Sequence, residues 1–273
     1  RRIDKGEKGA TLVLHNGRQV DLRVCEKDSY GAMLQYFTGS KQHNISLREH
    51  AIKKHFSINE YGIKDESGKL RPFSEEKKFY EALGVSYVPP ELRENRGELD
   101  GNLPTLVKLS DIRGDLHMHT SYDLSSSHDV GSSTFEEHLK QGTRRGYEYI
   151  GIADHNPSVS IHTPSEITAI MKKRKEWYEH EYQNYVSKTK AKIRYFLLCE
   201  VDILVDGSLA LPDAAFEYID AAIVSIHSSF TQDSKTVTDR VVRALSANPK
   251  VKFFGHPTGR MLTKREGIQP VWQ

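Results

Sequence analysis

The chain has 273 residues, and its 39 lysines and arginines nearly balance 37 acidic residues, for a net charge of +2. With 37% hydrophobic residues it can bury one large core or two ordinary ones, which excludes wholesale disorder, and its near-neutral balance leaves nucleic-acid binding to local patches. No apolar run reaches the roughly 18 residues of a membrane span, and the two cysteines, Cys25 and Cys199, are too few for a disulfide framework or a thiolate zinc site. From the N-terminus, residues 10–14 and 19–25 read as strands around an Asn16-Gly17 hairpin turn. Residues 29–36 read as a helix, and Ser40 caps a second one running to about Phe56, with Ile45, Ile52 and Phe56 as its apolar stripe. An extended stretch at 59–64, a turn at Gly68 and a helix over 75–83 follow.

Residues 89–110 carry three prolines, two glycines and many charges with little periodicity, which is linker composition. The chain therefore divides into residues 1–95, a linker at 96–110 and residues 111–273. Beyond the linker, short apolar runs at 149–153, 193–199, 221–226 and 251–255 alternate with helical stretches at 134–145, 164–190 and 235–247. Thr163, Pro164 and Glu166 form a capping box at the start of the longest helix. Such alternation predicts an α/β region with a parallel sheet and helices outside it. Residue 1 is Arg rather than Met and the text stops after a strand and loop, so a piece of a longer protein is expected, and the lack of a leader says nothing of targeting. The cysteine usage fits a reducing compartment, so a cytoplasmic location is expected.

Each strand-like run of the second region ends in an ionisable residue: His117 and His119, His155, Glu200, His227 and His256. In a parallel barrel, strand C-termini converge on one mouth, and residues i and i+2 of a strand share a face, so His117 and His119 point together. Nitrogen and carboxylate donors without thiolate suit zinc, manganese or iron, and this many donors imply two or three ions, with Glu200 as a natural bridge. Such clusters activate water and clamp the oxygens of a phosphate ester. The remaining histidines, His128 among them, read by default as surface or hydrogen-bonding residues.

The ordered segments Asp115-Leu-His-Met-His-Thr120, Ala153-Asp-His155, Glu200-Val-Asp202, Ser225-Ile-His227 and His256-Pro-Thr-Gly-Arg260 resemble the motifs of the PHP (polymerase and histidinol phosphatase) domain across residues 111–265. The resemblance implies a distorted (β/α)7 barrel, here partial, with a trinuclear site whose ligands are His117, His119, His155, Glu200, His227 and His256. A further carboxylate ligand is expected after the first motif. Asp129, just before Gly131, is preferred and Asp123 is the alternative. The family's last Asp-x-His motif is absent from these residues. Arg260 is expected to contact phosphate, since a guanidinium fork fits its oxygens.

The string Tyr36-Phe37-Thr38-Gly39-Ser40, followed by Asn44, Arg48 and Ile58-Asn-Glu-Tyr61-Gly62, resembles the palm and thumb of family X DNA polymerases, giving the first region an α+β polymerase character. The resemblance implies that Tyr36, Phe37 and Gly39 pack on the sugar of an incoming dNTP, that Asn44 reads the minor groove and that Arg48 meets the template strand. Asp21 matches the third palm carboxylate around Mg²⁺, and Arg23 shares its strand face. The other two palm carboxylates are not found. The order palm–thumb, linker, PHP implies a bacterial- or archaeal-type repair polymerase that acts on DNA gaps and 3′ ends, with a Mn²⁺-dependent (or Zn²⁺-dependent) 3′→5′ exonuclease. The alternatives are a small-molecule phosphatase of the histidinol phosphatase type and a non-catalytic DNA-binding module.

Overall fold

The computed structural model describes residues 2–6, 8–126 and 128–272. The chain forms two compact units, Arg1–Leu106 and Val107–Gln273. No helix among the described residues is long and apolar enough to cross a membrane.

The first unit opens with an antiparallel meander of β1 (Arg2–Gly6), β2 (Gly9–Val13) and β3 (Gln19–Arg23). The expected turn joins β2 to β3, with Gly17 at φ 81°, a conformation that glycine adopts at least cost. Helices α1 (Tyr30–Thr38) and α2 (Lys41–Lys53) follow, and Ser40 caps α2 by accepting from the His43 amide. The extended stretch is two short strands, β4 (Ser57–Asn59) and β5 (Gly62–Lys64), joined by β6 (Leu70–Arg71) in a second antiparallel sheet. Helix α3 (Glu76–Ala82) completes the core, where Ala32, Leu47, Ala51, Phe79, Tyr80 and Leu83 are buried.

One expectation fails on α2. Ile45 and Ile52 face solvent at 38% and 62% exposure, and the buried stripe is His43, Leu47 and Ala51. A histidine can take a core position because both ring nitrogens find partners: Nδ1 lies 2.6 Å from Glu98 and Nε2 lies 2.7 Å from the Tyr80 hydroxyl.

The second unit holds five parallel strands: β7 (Gly114–Met118), β8 (Tyr149–Ile152), β9 (Arg194–Asp202), β10 (Ala221–Ser225) and β11 (Val251–Phe254). They lie side by side in chain order, β7 to β11, in one curled sheet. Helices α4 (Phe135–Arg144), α5 (Pro164–Thr189) and α6 (Ser234–Leu245) supply the crossovers, together with a 3₁₀ turn at Asp213–Tyr218. The capping box at Thr163 forms as expected, and Thr134 with Glu137 forms another on α4. Among the described residues the edge strands β7 and β11 do not pair, so the sheet is open. On one face Ile150, Ile152, Leu197, Val201 and Val224 join the helices in the core. On the other, Phe196 and Phe253 remain exposed beside Leu116 and Leu198.

Candidate metal centre

Parallel strands in unbroken order bring their C-terminal ends to one edge, and the ionisable residues collect there. Glu200, 1% exposed, stands on the central strand β9. Its Oε2 lies 3.0 Å from His117 Nε2, 3.3 Å from His119 Nε2 and 3.4 Å from His155 Nδ1. Its Oε1 lies 2.8 Å from His256 Nε2 and 3.4 Å from His227 Nε2. One buried carboxylate thus faces five imidazoles.

A sixth imidazole closes the circle. Ring centroids step from His117 to His119 at 5.2 Å, to His155 at 4.6 Å and to His128 at 4.5 Å. The steps continue to His227 at 4.4 Å, to His256 at 5.0 Å and back to His117 at 6.3 Å. Three sets of donor atoms approach within 4.8 Å of one another: His117, His119 and Glu200; Glu200, His227 and His256; His128, His155 and His227.

Sequence reasoning placed Asp129, or failing that Asp123, in the ligand set. The fold brings His128, from the same loop, into the ring. Asp129 is exposed on the wall of a small pocket shared with His119, Asp154 and His155, outside the three donor sets. Asp123 accepts the Ser125 amide in a turn. Gly131 fixes this loop, since a Cβ there would sit 2.3 Å from the His119 carbonyl oxygen. Asp202 was quoted in a motif but given no role. It shares the Glu200 face of β9, and its Oδ1 lies 2.6 Å from His227 Nδ1 and 2.9 Å from His128 Nε2. That i, i+2 relation was the readable signal for Asp202. His128 had none beyond its type. Arg260 is exposed; its backbone amide donates to the Thr258 hydroxyl, and its guanidinium makes no hydrogen bond or ion pair among the described residues, while Arg265 is held against Phe230 and the Gly259 carbonyl.

The electrostatics suit cation binding. Burial alone would raise the Glu200 pKa, but the imidazoles of His117, His119, His227 and His256 hold it far below the usual carboxylate range. Burial pushes His155 down to about 4, so it is neutral at pH 7 with a lone pair free. For His227 burial works the other way from its partners, and Asp202 and Glu200 win, raising it to about 9. Metal capture by His227 therefore displaces a proton. The Nδ1 atoms of His119 and His155 are buried with no hydrogen-bond partner. Buried nitrogens without hydrogen-bond partners beside a charged carboxylate are donors that a cation would satisfy, so the donor set fits divalent ions. His128→Ala is expected to weaken Mn²⁺ binding at least about 10-fold and Asp129→Ala by less than about 3-fold, measured by calorimetric titration. The reverse order would restore Asp129 to the ligand set.

In the first unit the sequence-predicted residues lie as follows. Tyr36 is half-buried, Phe37 is exposed with the Arg23 guanidinium 5.9 Å from its ring centroid, and Gly39 is buried at φ 72°. Asn44 is turned inward: its Nδ2 donates to the Tyr36 carbonyl and its Oδ1 accepts from Gln35. It therefore locks the end of α1 to α2. Arg48 is exposed on α2. Asp21 is exposed on β3 and accepts from Thr11 and Gln19, which lower its pKa.

Comparison with known proteins meets this geometry from both ends of the chain. Residues 33–94 match the family described as DNA polymerase beta thumb. The "DNA polymerase/3′-5′ exonuclease PolX" of Bacillus subtilis is 32% identical over 255 residues, 92% of this chain and 42% of that protein. The chain is similar to the family X DNA polymerases that carry a PHP region. It spans less than half the length of the Bacillus relative. "DNA polymerase IV" of Saccharomyces cerevisiae is 33% identical over 76 residues, 28% of this chain and 13% of that protein. A "Probable phosphatase" of Caldicellulosiruptor saccharolyticus is 28% identical over 145 residues, 52% of this chain and 53% of that protein.

Proposed function

We propose that the second unit is a metal-dependent phosphoesterase acting on DNA 3′ ends, and that the intact protein joins it to a gap-filling repair polymerase of the cytoplasm. The observation that carries this reading is the ring of six imidazoles around Glu200. His117, His119, His128, His155, Glu200, His227 and His256 would hold two or three ions of the manganese or zinc type, within a seven-stranded barrel in the intact domain. When bound, such ions make water a nucleophile at neutral pH and neutralise charge on the phosphate oxygens. Glu200 supplies the fixed negative charge that gathers the imidazoles. Asp202 holds His227 in one orientation through Nδ1, leaving Nε2 free to ligate. Arg260, whose guanidinium is exposed, would hold a phosphate by its planar fork.

For the first unit we propose the roles its family implies. Tyr36, Phe37 and Gly39 meet the sugar of a dNTP, Asn44 and Arg48 face the DNA, and Asp21 with Arg23 serves a Mg²⁺ site completed in the intact protein. Asn44 supports this only indirectly, since it would have to leave Tyr36 to reach a base.

The test uses the purified chain with Mn²⁺, a 5′-labelled single-stranded oligonucleotide and, separately, histidinol phosphate. Shortening of the oligonucleotide from its 3′ end is expected, abolished by a chelator and by His117→Ala. The similarity of about half of the chain to a probable phosphatase favours a second reading, a small-molecule phosphatase, which release of phosphate from histidinol phosphate alone would establish. A chain that binds no ion and cleaves neither substrate is a DNA-binding or structural module.

A further inference from the structure

Behind the ring lies a second, buried polar cluster, in which the motif residues Thr120 and Asp154 meet Arg174 and Tyr178 of α5. Asp154, 4% exposed, precedes His155 and sits under the end of β8. Its Oδ1 accepts from the Thr120 amide at 2.6 Å and from the Thr120 hydroxyl at 3.1 Å. Thr120 directly follows His119. Asp154 Oδ2 accepts from Arg174 at 3.0 Å and from the Tyr178 hydroxyl at 2.8 Å. Arg174 and Tyr178 are both 0% exposed and stand four residues apart on α5, hence on one helical face.

The two side chains reach further. Arg174 donates to the Leu198 carbonyl on β9, two residues before Glu200, at 2.8 Å, and to the Ile152 carbonyl at the end of β8 at 3.4 Å. The Tyr178 hydroxyl lies within hydrogen-bond distance of the Thr120 hydroxyl as well as of Asp154. One helix face therefore ties together the ends of β7, β8 and β9, each carrying a residue of the ring. A buried ion pair is expensive to desolvate and adds little stability over an apolar core, so its presence here calls for another reason. That reason is angular precision. In metal sites, groups outside the ligand set hold the ligands in orientation.

We infer that Arg174 and Tyr178 are positioning residues of the metal centre, acting through Asp154 and Thr120 to set the spacing of His119, His155 and Glu200. The inference rests on the reading of the ring as a metal centre. It assigns the His119–His155 side of the ring to α5. The His227–His256 side is held separately: Arg240 of α6 donates to the carbonyls of Ile203 and Leu204, after Asp202, and of Ser228 and Ser229, after His227.

The test is Tyr178→Phe in the full chain, which keeps the ring volume and removes both hydroxyl contacts. Tyr182→Phe is the structural control, because it loses one hydrogen bond, to the Ile193 carbonyl, on the same helix and away from the site. Tyr178→Phe is expected to weaken Mn²⁺ binding about 10- to 100-fold by calorimetric titration. It is also expected to shift the imidazole ¹⁵N resonances of His119 and His155 in the metal-free chain, leaving those of His256 in place. Tyr182→Phe is expected to change neither. Arg174→Lys, which keeps the charge but not the fork, is expected to shift the same two histidines. Wild-type Mn²⁺ affinity and unshifted His119 and His155 in Tyr178→Phe overturn the inference, as does an equal effect of Tyr182→Phe. His119→Ala separates the two levels: if it binds Mn²⁺ like the wild type, the metal-centre reading itself fails and takes this inference with it.

Discussion

Glu200→Gln is expected to abolish divalent-metal binding, with Mn²⁺ affinity falling at least about 100-fold and metal-dependent hydrolysis falling with it. The substitution keeps the shape of the side chain and removes its charge. Five imidazoles lie within 3.4 Å of this one carboxylate, and two of the three donor sets include it. No other carboxylate occurs in those sets, so the variant would have to hold divalent cations on neutral donors alone. The His227 pKa, which Glu200 helps to raise to about 9, is expected to fall in the metal-free variant. Calorimetric titration with Mn²⁺ measures the first effect, and NMR titration of His227 in a chelator measures the second. A variant that binds Mn²⁺ within about 3-fold of the wild type shows that the ring is a hydrogen-bonded cluster around a structural acid.

Glu76→Ala is expected to destabilise the first unit by about 3–5 kcal/mol. Arg93 is 1% exposed, and its NH1 lies 2.8 Å from Glu76 Oε1. Its Nε donates to the Val88 carbonyl, and its guanidinium faces the rings of Tyr80 and Tyr87 at 5.4 and 5.9 Å. Those neutral contacts cannot replace a counter-charge in a buried setting, so removing Glu76 leaves a cation stranded in the core. Native-state hydrogen exchange of the α3 amides reads this unit directly. The double variant Glu76→Ala/Arg93→Met is expected to recover a large part of the loss, because the stranded charge goes with the arginine. A single variant within about 1 kcal/mol of the wild type would show that Arg93 draws its stability from the rings and the carbonyl alone.

Much of the candidate site is legible in the amino-acid sequence. A strand alternates its faces with period two and a parallel sheet gathers its strand ends, so His117, His119, His155, Glu200, His227 and His256 were legible from position alone. His128 was not. It sits in a loop with no periodicity, and only the path of that loop, held by Gly131 against His119, carries it into the ring. The thumb shows the opposite case. The isoleucines of α2 looked like its core face, yet a histidine occupies the core because Glu98 and Tyr80, distant in sequence, satisfy it.

By itself, the sequence determined the kinds of element, their order, the division into a polymerase-like region and one rich in metal-donor residues, and the residue types of the candidate site. These follow from local rules: periodicity, caps, turn residues and donor chemistry. Only the tertiary structure decided that the loop histidine His128 joins the ring, that Asp202 pairs with His227 and His128, that Asp154 is shared by Arg174, Tyr178 and Thr120, and that the strands form an open curled sheet. The physical reason is that hydrogen bonds and ion pairs of buried groups are settled by partners far apart in the chain. Those partners meet only when a whole sheet and its helices pack, and no window of local sequence contains them.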